Sequence, residues 1–169
     1  MGRRWVRALL LVPLVIVAGI VLACGDDDDD DEDMAHAAPT GVVETKPDDA
    51  TQVDITLQEW AVQVGQTSVP AGKIYFLAEN TGPDHPHEFV IIRTDLGPLD
   101  LPFDEEANLV PEEEVDIVDE IEEFAPHSSA SLTIELTPGK YLFICNISEE
   151  DPEIGSHYKK GMVATFTVE

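Results

Sequence analysis

Hydrophobic and polar positions alternate over residues 53–57, where Val53, Ile55 and Leu57 are separated by Asp54 and Thr56. Trp60, Val62 and Val64 carry the alternation on as far as Gly65. A period of two places one row of side chains on one face of an extended chain, so this stretch predicts a strand with a buried face. A turn at Pro70-Ala71-Gly72 leads into a second apolar strand, residues 73–79, closed by Asn80-Thr81-Gly82-Pro83. Residues 88–94 form a third, and Leu132, Ile134 and Leu136 alternate on a fourth. Thr137-Pro138-Gly139 then turns the chain into residues 141–145, and residues 163–168 make the last strand. Short strands divided by Pro/Gly turns, with no strand–helix–strand repeat, predict an all-β fold, an antiparallel Greek-key sandwich. Trp60, Phe76, Phe89, Phe143 and Phe166 are its expected aromatic core. Residues 95–126 break the pattern. They are acidic, contain Pro98, Pro102 and Pro111, and predict a long connection with one short helix or strand.

The N-terminal stretch follows a different logic. Arg3, Arg4 and Arg7 precede an apolar run from Ala8 to Ala23, and Cys24-Gly25 follows. Basic, apolar and small residues in that order predict a secretory signal over residues 1–23, too short for an ordinary membrane span. An uncleaved anchor helix is the other reading of the same run. Cys24, set after small and apolar residues, resembles the acylated cysteine of a bacterial lipobox. Asp26 to Asp33 is an unbroken acidic run, and Pro39, Gly41 and Pro47 follow. Like charges in series repel and do not pack, so residues 24–50 are expected to be a lipidated, acidic, disordered linker ahead of a domain over residues 51–169. Met34 and His36 fall in that linker and are poor candidates for a fixed metal site. Both readings of the N-terminus place the domain outside the cytoplasm and beside a membrane.

Charge narrows the partners. The 169-residue chain carries 35 Asp plus Glu against 9 Lys plus Arg, a formal net charge of −26. A nucleic-acid partner is excluded on this ground, because phosphate contacts draw on Lys and Arg. A protein with a basic surface, or a high-salt habitat, suits such a chain.

The two cysteines are Cys24 and Cys145. With Cys24 acylated no disulfide can form, and Cys145 is a lone thiol in an oxidising compartment. Metal ligation is one use for such a thiol; burial as an inert small hydrophobe is the other. His87 opens the strand at 88–94, Cys145 ends the strand at 141–145, and His157 and Met162 lie on the loop before the last strand. Two imidazoles and a thiolate in a plane, with a weak axial thioether, are the donors of a blue-copper site. Zinc on His87, Cys145 and His157 is chemically possible but leaves Met162 without a role. His85 competes with His87 across Pro86, though only His87 adjoins the apolar strand directly. His127, beside Ser128 and Ser129, is expected to be solvated.

Pro138-Gly139-Lys140-Tyr141, Cys145, His157, Gly161-Met162 and Phe166-Thr167-Val168, in this order, resemble the C-terminal signature of the cupredoxins. The similarity covers roughly residues 51–169; it extends to the plastocyanin and azurin types and especially to the auracyanin group. It implies a type 1 copper ion held by His87, Cys145, His157 and Met162, single-electron transfer, and an exposed His157 edge as the electron exit. It implies no catalysis and no small-molecule substrate. Redox proteins, among them a membrane respiratory complex, are the expected partners, and the lipid anchor is the expected link to the membrane. One feature departs from the family: eleven residues separate Cys145 from His157, where most blue-copper proteins have a much shorter loop. A longer loop is expected to be looser, to open the site to solvent, to shift its colour toward a green or red copper type, or to form a docking surface for a partner. Two other readings share this signature: a copper-delivery lipoprotein without redox turnover, and a metal-free interaction module. A multicopper oxidase or a binuclear copper centre lacks the extra His motifs or the second nearby cysteine.

Overall fold

The structure is a computed structural model and describes residues 38–169. The signal-like run, Cys24, the acidic run, Met34 and His36 lie outside the described residues. Among the described residues nine strands form two packed sheets. They are β1 (Thr51–Gln58), β2 (Ala61–Val64), β3 (Ser68–Val69), β4 (Gly72–Asn80), β5 (His87–Arg93), β6 (Asp116–Phe124), β7 (Ser128–Leu136), β8 (Gly139–Ile144) and β9 (Val163–Val168). One short helix, α1 (His157–Lys160), precedes β9. The first sheet runs β2-β1-β4-β7 and the second β3-β9-β8-β5-β6. Neighbours that are not consecutive in sequence, such as β1 with β4 and β5 with β8, are joined by crossings between sheets, as in a Greek key.

The sandwich is as expected, but its sheets are mixed. β1 pairs with β4 in parallel, and β3 pairs with β9 in parallel. The run read as one alternating strand through Val64 is a hairpin: the chain turns at Glu59-Trp60, and β2 folds back with Leu57 opposite Val62. The alternation survives the turn because antiparallel partners share a face, so periodicity alone does not reveal the break.

Val53, Ile55 and Leu57 on β1 and Ile74, Phe76 and Ala78 on β4 are all at most 1% exposed. Register sets Leu132 opposite Phe76 and Ile134 opposite Ile74, so β7 completes the same inner row. Phe76, Phe89, Phe143 and Phe166 close the space between the sheets, with ring centroids 4.8–5.9 Å apart in offset and edge-on pairs. Trp60 is half-buried and lies outside this group, against the site described below.

β5 and β8 are buried on both faces, which explains their nearly continuous apolar sequence. The outer cover comes from the 94–115 connection. Leu101 and Val110 pack with Val90, Ile92, Leu142, Ile144 and Tyr158 into a second apolar cluster. After a single 3-10 turn at Glu112–Glu114 the connection becomes β6, an edge strand of nine residues, longer than the short element expected there. Its acidic side chains face solvent, where charge discourages edge-to-edge pairing.

Residues 39–50, read from the sequence as the end of the linker, lie along β7 and the start of β4. Ala125 N–H donates to Pro39 O at 2.9 Å and Ser131 N–H to Val42 O at 3.0 Å. Tyr75, buried on the outer face of β4, donates its hydroxyl to Glu44 O at 2.9 Å. Neighbouring acids do not prevent this, because the contacts use backbone atoms and the acidic run itself ends before them.

Candidate metal centre

Three elements converge at one end of the sandwich. His87 is the first residue of β5, and β5 is held by β6 on one side and β8 on the other. Cys145 follows directly on β8. His157 is the first residue of α1, capped by Ser156, whose hydroxyl accepts from Lys159 N–H at 3.3 Å. Tyr158 anchors α1 in the second apolar cluster. Gly161 ends it at φ 115°, a conformation that L side chains rarely adopt, and Met162 comes next.

His87, Cys145, His157 and Met162 are all 0% exposed. His87 Nδ1 lies 3.3 Å from His157 Nδ1, and Cys145 Sγ lies 3.8 Å and 3.3 Å from those two nitrogens. All three donors fall within 4.8 Å of one another. Met162 is tied to its neighbours by backbone: its N–H donates to His157 O at 3.1 Å, and its carbonyl accepts from Cys145 N–H at 3.2 Å. The structure brings His87, Cys145 and His157 together, with Met162 beside them. His127 is exposed, as expected. His85 does not join the donors; it lies beside them, with Nδ1 2.8 Å from Glu149 Oε1.

The protonation states follow from burial. Desolvation, with the nearby His157, pushes His87 down to about 4. Desolvation also lowers His157, against the opposing effect of the hydrogen bond it donates to Glu149. Desolvation raises the Cys145 thiol to about 12, and the nearby Glu88 adds to that rise. Two neutral imidazoles and a thiol therefore face one another, with no cationic group among the three donor atoms. Burying polar atoms in this way is costly unless something satisfies them, and a cation among the three donors does so. Donor chemistry selects the metal: one soft thiolate, two imidazoles and an adjacent thioether fit type 1 copper better than zinc.

The surroundings are more ordered than the loop length implied. Asn146 clamps the start of the insert, with Oδ1 accepting from Val110 N–H at 2.8 Å and Nδ2 donating to Val110 O at 2.9 Å. Asn146 N–H donates to Glu88 Oε1 at 2.6 Å. Ser148 and Ser156 pair across the insert as an antiparallel bridge. His157 N–H donates to Ile147 O at 3.0 Å. The expectation of a loose, solvent-opening loop is therefore corrected: backbone pairing draws the two ends together and folds the insert over the site.

The expected exposed edge of His157 is corrected for the same reason. Its Nε2 lies 3.1 Å from Glu149 Oε1 under the insert. Glu59 faces the other imidazole, with Oε1 4.0 Å from His87 Nε2. Burial works to raise Glu59, but N–H donors from His85 and Asp84, at 2.7 and 3.0 Å, outweigh it and hold the carboxyl below its ordinary value. Trp60 completes the cover, its ring centroid 4.7 Å from that of His157 and 6.2 Å from that of His87. Sequence reasoning took Trp60 for core and passed over Glu59 and Glu149. The turn at Glu59-Trp60 takes these two residues out of the sheet, and the unbroken alternation through Val62 and Val64 hid it.

Comparison with solved structures places the fold. The chain is similar to dithionite-reduced auracyanin of Roseiflexus castenholzii at 22% identity, over 71% of this chain and 98% of that one, with a TM-score of 0.50. Auracyanin A of Chloroflexus aurantiacus, described as a "blue" copper protein, matches at 18% identity over 71% and 99%, with a TM-score of 0.50. Reduced rusticyanin matches at 18% identity over 78% and 89%, with a TM-score of 0.51. No protein-family model matches the chain, and no curated protein matches it. The fold is that of the cupredoxins, and the His87, Cys145 and His157 group with Met162 beside it fits a type 1 copper site.

Proposed function

We propose that this chain is an extracytoplasmic, membrane-tethered carrier of single electrons, working through a mononuclear type 1 copper site. The observation that carries the reading is the meeting of His87 Nδ1, His157 Nδ1 and Cys145 Sγ in a fully buried cluster at the end of a cupredoxin sandwich. Copper bound there would supply the one-electron couple. The protein's part is to hold the donors still. His87 is fixed between two strands, Cys145 by the Asn146 clamp, and His157 by α1 and its buried Tyr158. Donors locked by their own packing move little between oxidation states, which favours fast transfer. Phe89 and Phe143, each 0% exposed and in the same inner cluster as Cys145, keep water from the thiolate.

With His157 covered, Trp60 offers the route to the surface. It touches both imidazoles, is half-buried, and carries Lys160 Nζ 5.3 Å from its ring centre. A redox protein docking over Trp60 is the proposed partner. The signal-like run and Cys24 support a lipid tether at the outer face of the membrane, with the acidic run as spacer. Among the described residues no helix is long and apolar enough to cross a membrane.

Burial of all three donors counts against copper delivery, since handing metal to a partner needs a donor that the partner can reach. Repeated reduction and reoxidation of the copper-loaded chain under excess chelator tests the point. Retention of copper through many cycles supports a carrier; loss at the first reduction supports delivery.

A further inference from the structure

The insert between Cys145 and His157 places one carboxylate oxygen against two imidazoles. Glu149 Oε1 lies 3.1 Å from His157 Nε2 and 2.8 Å from His85 Nδ1. Resting on the copper reading above, we propose that Glu149 is a positioning residue of the centre. It takes the Nε2–H of His157, fixes the tautomer that leaves Nδ1 as the metal donor, and covers the outer edge of that ring.

The chemistry of imidazole requires such an acceptor. A neutral imidazole carries one nitrogen-bound hydrogen, so a histidine that offers Nδ1 to a metal bears that hydrogen on Nε2. His157 is 0% exposed, and solvent does not supply the partner. A carboxylate is the strongest acceptor for this task, and it makes the imidazole a more basic donor. A more basic donor favours the more highly charged oxidation state, so Glu149 lowers the reduction potential.

Glu149 is itself held in place. Its N–H donates to Gly155 O at 3.1 Å, beside the Ser148–Ser156 bridge. His85, the second imidazole on the same oxygen, packs on Trp60 with ring centroids 5.1 Å apart. Swinging the carboxylate away breaks both imidazole contacts at once. The insert thus serves as the arm that delivers this group, which gives its length a purpose.

Three variants of the full chain, purified in detergent, test the proposal: Glu149→Ala, the isosteric Glu149→Gln, and Glu150→Gln. Glu150 is exposed, and its variant removes the same charge one residue away. In the metal-free protein, nitrogen NMR of the imidazoles should show His157 held as the Nε2–H tautomer in wild type and in Glu150→Gln, and released in Glu149→Ala. Chelator competition should show Cu(II) bound about 10–100-fold more weakly by Glu149→Ala. The reduction potential should rise in both Glu149 variants and stay near wild type in Glu150→Gln. Wild-type tautomer, affinity and potential in both Glu149 variants would overturn the proposal, as would an equal shift in Glu150→Gln. If both Glu149 variants unfold without metal, the residue is a structural link and the proposal fails. A wild-type chain with no thiolate-to-copper band would remove the copper reading and this proposal with it, whereas a wild-type band with unchanged Glu149 variants removes the proposal alone.

Discussion

Cys145 donates its backbone N–H to the carbonyl of Met162 at 3.2 Å. This contact extends the β8–β9 ladder one step beyond the Ile144–Val163 pair. Thiol and thioether therefore sit at facing positions on two strands, and the residues between them leave and re-enter at a fixed point. The long insert does not move the donors because sheet pairing has already placed both ends.

Met162 is buried filler as well as a candidate axial donor, and the two roles separate by substitution. Met162→Leu keeps volume and should cost less than about 1.5 kcal/mol in the metal-free protein. Met162→Ala leaves a cavity and should cost about 2–5 kcal/mol. Denaturant melts of the two variants without copper give these values. With copper, Met162→Leu should retain a thiolate band at a shifted position.

The buried thiol makes copper uptake a proton exchange. Cys145, raised to about 12, is protonated at neutral pH, while His87, lowered to about 4, is already neutral. Each copper bound at pH 7 should release close to one proton, and apparent affinity should weaken as pH falls. Calorimetry in buffers of different ionisation heat measures the number. In the metal-free protein the unfolded thiol loses its proton near pH 9, below the folded one. Wild type should therefore lose stability relative to Cys145→Ser as pH rises from about 9 towards 12. Paired denaturant melts across that range check the sign.

Asn80, 0% exposed, knits the segment before His87 to the end of β6. Its Nδ2 donates to His85 O and Phe124 O, each at 3.1 Å, and its Oδ1 accepts from Gly82 N–H at 2.9 Å. Asn80→Ala should destabilise the fold by about 1–3 kcal/mol through the buried groups left unpaired. It should also weaken copper binding, measured by chelator competition, by freeing the loop that carries His85 and leads into His87.

The chain ahead of β1 belongs to the folded unit. A chain starting at residue 51 loses the Pro39, Val42 and Glu44 contacts and should be less stable than one starting at residue 38. At about 1 kcal/mol for each of these three hydrogen bonds, the difference is on the order of 3 kcal/mol. Denaturant midpoints of the two chains decide it, and equal midpoints would show that residues 38–50 contribute nothing.

The strands with one open face were legible in the sequence, because Val53, Ile55 and Leu57 alternate with polar residues that meet solvent. The donors were legible because His87, Cys145 and Met162 stand at strand ends and His157 on the loop just before the last strand, each with the right chemistry. β5 and β8 read as strands but not as doubly covered ones, since an apolar run does not say what buries its second face. That cover, through Leu101 and Val110, comes from a connection whose acidic composition hid both its apolar anchors and β6. Glu149 was hidden in the same way: in an insert rich in acids, no local feature marks the one carboxylate that turns inward to two imidazoles.

The most direct measurement is the visible spectrum of the full chain titrated with Cu(II), alongside Cys145→Ser. A type 1 centre requires an intense thiolate-to-copper band that saturates at one copper per chain, bleaches reversibly with a mild reductant and is absent from Cys145→Ser. No band at stoichiometric copper, or an equal band in the variant, would contradict it.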